Sequence, residues 1–561
     1  MNRNRTSTYF EQHHAGRVFA GEGGVDVVLW MCVAAVLLGA YIYPTFTPTL
    51  EHDSFQYLSA ADNLLRGHLG FTSIVHFDAE RSFGLMPAPM VTFPIGYAVA
   101  IVLASQTGMS LEGAASLLSA VSTVACVPLL AWIGGQLRLS RLLRNVVVAC
   151  FVFNGVVIQF GTTVLTEAVF TFVILVGVAL LIGARHRDDR SRWWFWIGAG
   201  LAFGAAYFVR YSGLFFIGAL ALLAVRHALA SNRALAIGHC VSLAVASAAV
   251  MAGVARNMLL VGNWRGRDEM IVNGSIPSTL LKTGQAANVF FLGPGTSTPG
   301  GVLVPKALLA SILIAGFAWL IFGYLRRRSL PDAGPAVTRG AGIDLLVLAA
   351  SYAACMFYAG LTSAISYGTP RNFVPLMPLF VLMFGLLLQT LLKSQTASTQ
   401  SRRVLPLVVL AGIGLYAYLN LLVFRLQPVD HAAAVARQMD AIGPDGTSAR
   451  AVIQSNVGPR GVIIANNGQA IGHVLMRPTV SLVGPHYSNV EWNEKTMRDT
   501  VRRFNAQAIV IAVPKGEQAD KSDLIPSVFV RQLAQGEPPA WMSLVHRSGD
   551  LMVYVPDRTT P

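Results

Sequence analysis

A series of long apolar runs constrains this chain more than any other feature. A bilayer has a hydrocarbon core about 30 Å thick, so a helix that crosses it needs about 20 apolar residues. Eleven runs of about that size are present: 25–45, 111–135, 145–161, 168–184, 193–209, 213–225, 235–255, 302–324, 343–361, 373–392 and 404–424. The run 93–105 is shorter and contains Pro94 and Gly96, which favours an interfacial or half-buried helix. We predict a mainly α-helical, multi-pass membrane protein.

The composition supports this prediction and excludes several classes of protein. Hydrophobic residues make up 54% of the chain and charged residues 12%, whereas soluble domains carry about 25% charged residues. A large water-soluble enzyme and a disordered chain are therefore excluded. The five cysteines lie inside apolar runs without metal-ligand spacing, which favours simple packing and excludes a disulfide scaffold. Binding to nucleic acid would need a contiguous basic face, and the sequence shows none, so this function is not predicted.

Basic residues favour one orientation in the membrane. Residues 426–561 carry 13 basic and 12 acidic side chains, so nearly all of the net charge of +14 belongs to the hydrophobic part. With the N-terminus in the cytoplasm, the inside segments hold 19 basic residues and the outside loops hold 8. The run 25–45 lacks a cleavage site and is predicted to be the first membrane helix. We therefore predict an inner (cytoplasmic) membrane protein with residues 1–24 in the cytoplasm.

This orientation places the C-terminal residues 426–561 on the outer, periplasmic or extracellular side. Period-two patterns predict strands at 462–465, 479–483 and 508–513 and a hairpin over 542–555, and helical patterns lie near 431–442 and 491–504. The sequence thus predicts an α/β domain after a transmembrane domain at 25–425. Two long loops, 44–110 and 256–305, are predicted on the same outer side. Long loops on one face usually build a site.

Asp53 is the first candidate for chemistry, in the stretch Glu51-His52-Asp53-Ser54-Phe55-Gln56-Tyr57. The apolar spacing after it predicts an amphipathic helix along the interface. Asp53 followed by Gln56 three residues later resembles a capping box, which needs no catalysis. A carboxylate at headgroup depth also suits a general base that meets a lipid-linked substrate. Both interpretations remain open at this point.

Further charged residues are predicted at the outer ends of the helices. Glu167 is flanked by apolar residues and needs either solvent or a partner. With Asp53 it forms a carboxylate pair suited to acid–base work or to a divalent cation. Arg210 and Arg371 suit either lipid headgroups or a phosphoryl leaving group, because a guanidinium bonds two oxygens at once. Lys282, in the second long loop, is a further basic candidate.

The histidines of the first loop do not predict a metal site. His52, His68 and His76 are separated by 16 and 8 residues, and these intervals match no standard ligand spacing. We therefore assign no residue as a metal ligand.

Taken together, these motifs resemble those of the GT-C glycosyltransferases, and most closely the bacterial protein mannosyltransferases and the lipid A aminoarabinose transferase. The likeness spans roughly residues 25–392 and rests on motif order. The matching stretches are Asp53–Tyr57 with Asn63–Gly67 (D-E-x-x-Y…N-L-L-x-G), Phe93–Tyr97 (P-P-G-Y), Leu165–Phe170 (S-E-x-x-F), Arg210 (T-R) and Arg371–Pro378 (R-Y-x-x-P-x-x-P). Ser54, Phe93 and Asn372 depart from the pattern, and Ser54 weakens the case for an acidic metal-binding pair.

The resemblance implies a membrane enzyme that transfers a sugar from a polyprenyl-phosphate donor, with inversion, to a glycan, lipid or protein acceptor outside the cytoplasm. Its expected site residues are Asp53 and Glu167 for catalysis, Arg371, Arg210 and Lys282 for the donor phosphate, and Tyr57, His52 and Tyr97 for substrate. Membrane lipids are expected partners. No cofactor is certain, and a divalent cation stays open. The outer domain is expected to shape the acceptor side.

A transporter or flippase of a lipid-linked or small substrate is the main alternative. Such proteins usually keep ionisable residues or broken helices near the midplane. Here only His239 lies well inside a run, and no inverted repeat is evident. A non-catalytic scaffold that binds lipid-linked glycans is a third hypothesis, which Ser54 mildly supports.

Overall fold

The computed structural model describes residues 22–76, 79–187, 190–266, 274–293, 336–363, 368–394, 399–426, 428, 430–444, 446–484, 490–513, 524–548 and 550–557. The helices up to residue 425 are α1 Glu22–Ile42, α2 His52–Leu65, α3 Gly96–Ser105, α4 Leu111–Gln136, α5 Arg141–Val152, α6 Gly155–Phe160, α7 Glu167–Arg185, α8 Ser191–Val209, α9 Gly213–Leu229, α10 Arg233–Val261, α11 Ile276–Leu292, α12 Ala336–Thr362, α13 Met377–Ser394 and α14 Thr399–Leu421. Short 3-10 helices cover Ala79–Ser82, Pro370–Leu376 and Leu422–Arg425.

The predicted helical membrane fold is confirmed. Among the described residues, six helices are long and apolar enough to cross a bilayer: Gly23–Ile42, Leu111–Gln136, Glu167–Arg185, Arg233–Val261, Gly340–Thr362 and Pro370–Thr390. Shorter apolar helices cover Gly96–Ser105, Gly213–Leu229 and Val409–Arg425. The run 93–105 therefore does form a short helix, as predicted. The predicted span 302–324 lies outside the described residues.

The prediction of one continuous span at 145–161 was wrong, because the helix breaks at Asn154. The side chain of Asn154 accepts a hydrogen bond from the N–H of Val157 at 2.9 Å and so begins α6 as its N-cap. Its amide group donates to the backbone oxygen of Phe290 at 2.8 Å and to the hydroxyl of Tyr416 at 2.9 Å. These bonds tie α6 to α11 and α14, while Oδ1 of Asn154 supplies the acceptor that the N–H of Val157 lacks at the start of α6.

We expect Asn154→Ala to lower the free energy of unfolding by about 2–4 kcal/mol, because it removes a cap and leaves buried polar partners unsatisfied. Asn154 is fully buried, at 0% exposure. Asn232→Ala is the matched control, since Asn232 is an exposed N-cap that accepts from Leu235 N–H at 3.2 Å. Denaturant unfolding of the purified protein measures both variants. If the two variants lost the same free energy of unfolding, a role for Asn154 in joining α6 to α11 and α14 would be contradicted.

Two other segments differ from the predicted loops. Helix α10 continues through Val261, and α11 lies within the segment predicted as the second long loop, so Lys282 is on a helix. The last stretch before α13 is a 3-10 helix, Pro370–Leu376, because prolines at 370, 375 and 378 prevent a regular α-helical entry. This 3-10 helix carries Arg371.

The predicted C-terminal α/β domain is present. Its helices are α15 His431–Asp440, α16 Ala449–Asn456, α17 Gly468–Leu475, α18 Glu494–Phe504 and α19 Val528–Gln535. The strands of the chain are β1 Phe71–Thr72, β2 Ile74–Val75, β3 Ala88–Pro89, β4 Val462–Ala465, β5 Thr479–Ser481, β6 Ala506–Ala512, β7 Met542–Ser548 and β8 Leu551–Pro556. The predicted strands and both predicted helices are confirmed, whereas α16, α17 and α19 were not predicted.

Six strands form one sheet in the order β2-β5-β4-β6-β8-β7. The pairs β2–β5, β5–β4 and β4–β6 are parallel, and β6–β8 and β8–β7 are antiparallel. Strand β2 comes from the first long loop and pairs Ile74 with Thr479 and Val75 with Val480. A second pair, β1–β3, is antiparallel. The first loop therefore contributes an edge strand to the sheet of the C-terminal domain.

Helix α17 fixes the C-terminal domain against the helix that carries Asp53. The ring of His473 lies 5.0 Å from that of Phe55 on α2. The Nε2 atom of His473 lies 3.0 Å from Oε1 of Glu112 at the start of α4. The sheet and α2 are thus held on the same side of the helical bundle.

Candidate active site

The candidate site forms where the ends of four distant segments meet. Asp53 is in the first turn of α2, Glu167 is the first residue of α7, Arg210 directly follows α8, and Arg371 is in the 3-10 helix before α13. Each of these side chains lies at an element end, where the backbone leaves the apolar interior. The structure thus brings together four of the residues singled out in the sequence.

Ion pairs connect these four side chains. Nη1 of Arg371 donates to Oδ2 of Asp53 at 3.0 Å, and Nε of Arg371 lies 3.8 Å from Oε1 of Glu167. Arg210 forms an ion pair with the same Glu167 oxygen. Two guanidinium groups and two carboxylates therefore form one connected network, with Arg371 at its centre.

Neighbouring polar residues orient Arg210. Its Nη2 donates to Oδ1 of Asn372 at 2.8 Å, and its Nη1 lies 3.3 Å from Oγ1 of Thr166. The amide of Asn372 in turn donates to Oγ1 of Thr369 at 2.9 Å. In the sequence, Asn372 is only a departure from the motif that Arg371–Pro378 resembles. In the structure its amide both accepts from Arg210 and holds the backbone segment that precedes Arg371.

The interpretation of Asp53 as an N-cap was wrong. The N-cap of α2 is Glu51, and Oγ of Ser54 accepts a hydrogen bond from the N–H of Glu51 at 2.8 Å. The capping box therefore begins two residues earlier than the pattern of Asp53 with Gln56 suggested. Asp53 lies inside the first turn, where its carboxylate is free to bond Arg371 instead of the backbone.

The surrounding charges keep Asp53 ionised. Burial by itself would raise the pKa of the Asp53 carboxyl, but the charge and hydrogen bond of Arg371 outweigh it. His76 and Arg210 add to this effect, so the pKa of Asp53 lies below its usual value. The lowered pKa means that the ion pair stabilises the fold at neutral pH and loses this contribution as the pH falls through the lowered value.

Glu51 behaves in the opposite way, and sequence reasoning missed it. Burial raises the pKa of the Glu51 carboxyl, and the nearby carboxylates of Asp53 and Glu167 raise it further. His431 and Arg371 oppose the shift without cancelling it. The available signal was a second acid two residues before Asp53 in the same loop.

A cavity of about 320 Å³ opens beside Arg371. Its polar lining includes Glu51, Gln159, Thr369 and Arg371, and the rest is mostly apolar: Gly155, Val156, Phe160, Val289, Pro370 and Val423. A cavity with an apolar wall and a guanidinium at one end suits an amphiphile with an anionic head.

The remaining predicted residues lie around this centre. Tyr57 and Tyr97 are buried, and their rings are 5.1 Å apart. The hydroxyl of Tyr97 lies 3.4 Å from Oγ of Ser119 on α4, behind the ionic network. His52 is exposed, and its ring lies 5.4 Å from that of His431. Lys282 is exposed on α11, and its backbone packs near Gly368, three residues before Arg371.

Comparisons with known proteins agree with this architecture. Residues 106–264 match the family model of dolichyl-phosphate-mannose-protein mannosyltransferases, and no curated protein sequence matches the chain. The oligosaccharyltransferase AglB from Archaeoglobus fulgidus has a similar structure with a TM-score of 0.53 at 13% identity, covering 87% of this chain and 69% of AglB. ArnT from Cupriavidus metallidurans, solved with undecaprenyl phosphate, has a TM-score of 0.52 at 14% identity, covering 95% and 98% of the two chains.

The arabinofuranosyltransferase AftD from Mycobacteria gives a TM-score of 0.53 at 14% identity and covers 94% of this chain and 39% of its own. The chain has the GT-C fold. The resemblance drawn from the motifs is therefore confirmed at the level of the fold, and the matched segment contains both Glu167 and Arg210. The comparisons agree with the fold of a multi-pass membrane protein.

Metal binding has only indirect support. The Archaeoglobus fulgidus oligosaccharyltransferase has also been solved in complex with zinc and sulfate. In the part of this chain that the structure describes, His227, His239 and Asp344 form a cluster whose ligand atoms lie within 4.8 Å of one another. The two Asp344 oxygens already pair with Arg185 and Arg226. Since Arg185 ends the helix that Glu167 begins, this cluster lies at the far end of the bundle from the candidate site.

Proposed function

We propose that this chain transfers a sugar from a polyprenyl-phosphate donor to an acceptor hydroxyl at the outer face of the cytoplasmic membrane. The observation that carries this proposal is the ion pair between Asp53 and Arg371 at the edge of a cavity with apolar walls. A carboxylate next to a guanidinium supports the proposal, because transfer from a lipid phosphate requires a base beside a phosphate-binding group. The site residues lie at the end of the bundle where the long loops and the α/β domain are found.

The donor would occupy the cavity beside Arg371. Its lipid would contact the apolar wall formed by Val156, Phe160, Val289 and neighbouring residues, and its phosphate would meet the guanidinium of Arg371. Arg210 would support the same phosphate through the network that it shares with Glu167. Lys282 would assist from α11 once the donor approaches, since its side chain is exposed near the segment that carries Arg371.

Asp53 would take the proton from the acceptor hydroxyl. In the free protein, the bond from Arg371 lowers the pKa of Asp53 and makes it a weak base. Donor phosphate would compete for the same guanidinium, and the negative charge of the phosphate would offset the effect of Arg371 and raise the pKa of Asp53. Binding of the donor would therefore activate the base only when a sugar is present to receive the acceptor oxygen.

Glu167 would fix the positions of Arg210 and Arg371 instead of acting on the acceptor directly. It is 1% exposed, and its Oε1 contacts Arg210 and lies 3.8 Å from Arg371. No described residue hydrogen-bonds to its buried Oε2 atom. The second oxygen therefore remains able to receive a hydrogen bond from bound substrate.

The acceptor would approach from the side of the α/β domain. Helix α17 packs on α2 through His473 and Phe55, and His76 follows the edge strand β2 and contributes to the electrostatic environment of Asp53. His52, exposed beside His431, would contact the acceptor at this boundary. Tyr57 and Tyr97, being buried, would shape the floor of the site beneath it.

We propose that the arginines, and not a divalent cation, stabilise the leaving phosphate, because Arg371 lines the cavity and Arg210 shares Glu167 with it. Sugar transfer in EDTA should therefore proceed at the rate measured in Mg²⁺ or Mn²⁺. Initial rates with purified protein and a defined polyprenyl-phosphate sugar measure this. A rate that disappears in EDTA and returns with added cation would contradict the proposal.

Mass analysis of membrane glycolipids and glycoproteins, with and without this chain, tests the function itself. We expect one sugar modification to disappear when the gene is removed and to return when it is restored. The same modification should form in proteoliposomes supplied with the matching polyprenyl-phosphate sugar. Movement of a substrate across sealed vesicles without any sugar transfer would instead favour a transporter.

A further inference from the structure

Glu51 is the acid of the site that lines the cavity, whereas Asp53 and Glu167 are not among its lining residues. It is the N-cap of α2 and lines the cavity together with Thr369, Pro370 and Arg371. Asp53, only two residues further on, is not among the residues that line this cavity. Glu51 therefore lines the cavity beside Arg371, whereas Asp53 bonds Arg371 without lining the cavity.

The charges around Glu51 come from every element packed against it. Asp53 and His52 lie on its own helix, Arg371 on the 3-10 helix, Glu167 on α7 and His431 on α15. Tyr41 on α1 is also within electrostatic range. Burial and the two carboxylates favour the neutral acid, which raises the pKa of Glu51, whereas the pKa of Asp53 is lowered. Two acids with opposite shifts in one site are the usual sign of an acid and a base.

We propose that Glu51, as a neutral carboxylic acid, hydrogen-bonds the phosphate of the lipid-linked donor and gives its proton to that phosphate as it leaves. This inference rests on the proposed function and adds to it the acid that complements Asp53.

The charge count supports a neutral Glu51. Arg371 and Arg210 balance the carboxylates of Asp53 and Glu167, so an ionised Glu51 would place an uncompensated negative charge where the phosphate binds. Like charges within a few ångströms of each other in a partly dry site repel strongly. The neutral acid avoids this repulsion and supplies an O–H donor to a phosphate oxygen.

The proposed step balances without a further reactant. The acceptor oxygen forms a bond to the anomeric carbon while the bond from that carbon to the phosphate oxygen breaks, and its electron pair stays on the phosphate. The acceptor proton passes to the carboxylate of Asp53, and the proton of Glu51 passes to the phosphate. The lipid phosphate leaves as a monoanion, and exchange with water then returns Asp53 to the carboxylate and Glu51 to the acid.

The test compares wild type with Glu51→Gln, because glutamine keeps a hydrogen-bond donor but has no proton to lose. Affinity for undecaprenyl phosphate is measured at a series of pH values from acidic to alkaline, because a raised carboxyl pKa moves the loss of the Glu51 proton to higher pH. The phosphate of the ligand itself changes its protonation with pH, and it does so equally in both measurements. The ratio of the two affinities at each pH therefore reports only the contribution of Glu51. We expect wild type to weaken about tenfold relative to the variant as the pH rises, because the hydrogen bond to the phosphate is lost.

Transfer rates give an independent measurement. Glu51→Gln should lower kcat while leaving KM for the donor nearly unchanged, because only proton donation is removed. Ser54→Ala is the matched control: it removes the hydrogen bond from the Glu51 N–H at 2.8 Å and leaves the carboxyl in place. It should reproduce any loss of helix stability without changing the pH dependence.

A ratio of affinities that stays constant with pH would overturn the role of Glu51. So would a Ser54→Ala variant that changes this ratio as much as Glu51→Gln does. A different result would indicate failure of the proposed function: undecaprenyl phosphate would then bind equally well to wild type and to Arg371→Ala. The two failures are therefore distinguishable in the same assay.

Discussion

Asp53→Asn should lower the rate of sugar transfer by about 10²–10⁴-fold, the usual contribution of a positioned general base. Asparagine has nearly the same shape and still accepts a hydrogen bond from Arg371, so the protein should remain folded. Its amide cannot take a proton from the acceptor. Single-turnover rates with a polyprenyl-phosphate sugar, together with thermal unfolding of the same sample, separate chemistry from stability.

Two variants accompany this experiment. Asp62→Asn is the matched control, because Asp62 lies on the same helix and pairs with Arg66 at 3.0 Å in an exposed position; it should leave the rate unchanged. Asp53→Ser removes the carboxylate from a position that is not the N-cap of α2. An active Asp53→Ser variant would show that the carboxylate is dispensable, in conflict with the role proposed for Asp53.

Arg210→Met should destabilise the protein by about 3–5 kcal/mol, because it leaves a buried carboxylate without its main partner. Glu167 is 1% exposed and forms its ion pair with Arg210, while Arg371 lies 3.8 Å away. The double variant Arg210→Met with Glu167→Gln should recover part of the loss, since the unpaired charge is then removed. Unfolding of the purified variants in the same detergent measures both effects.

The exposed pair of Arg66 and Asp62 supplies the control for this prediction as well. Arg66→Met should change the free energy of unfolding little, because exposed pairs on a helix contribute only weakly. If Arg210→Met and Arg66→Met were equally stable, the buried network could not have the structural role assigned to it. A double variant less stable than Arg210→Met alone would contradict the same argument.

The pKa values of Glu51 and Asp53 shift in opposite directions because the two acids differ slightly in position at the start of α2. Asp53 bonds Arg371 directly at 3.0 Å, whereas Glu51 faces the cavity at the N-cap. A direct hydrogen bond to a guanidinium outweighs the effect of burial, but a more distant cation does not. Asp53 and Glu51, two residues apart in sequence, can therefore serve as the base and the acid, respectively.

Several site residues could be predicted from the sequence because their chemistry is unusual for their surroundings. Glu167 between apolar residues and Arg371 before a proline-rich helix are costly charges that need partners. The sequence could not identify those partners. Glu167 is 43 residues from Arg210, and Asp53 is 318 residues from Arg371, so their contacts depend on how the helices pack.

The helix boundaries show a similar limit. The stretch near Asp53 contains two capping patterns, and packing selected the one formed by Glu51 and Ser54. The apolar run 145–161 looks continuous, but the fold breaks it at Asn154 because that side chain finds Phe290 and Tyr416. Neither the N-cap of α2 nor the break at Asn154 can be predicted from the residues of a single helical turn.

Local sequence determined the membrane helices, most of the strands of the C-terminal domain and the charged residues at the helix ends. These depend on hydrophobic length, periodicity and the cost of an isolated charge, which act over short stretches of chain. Only the tertiary structure decided that β2 joins a sheet about 400 residues away in sequence and that Arg371 lies between Asp53 and the cavity. Such contacts depend on loop closure and on the mutual packing of many helices, and no short segment specifies them.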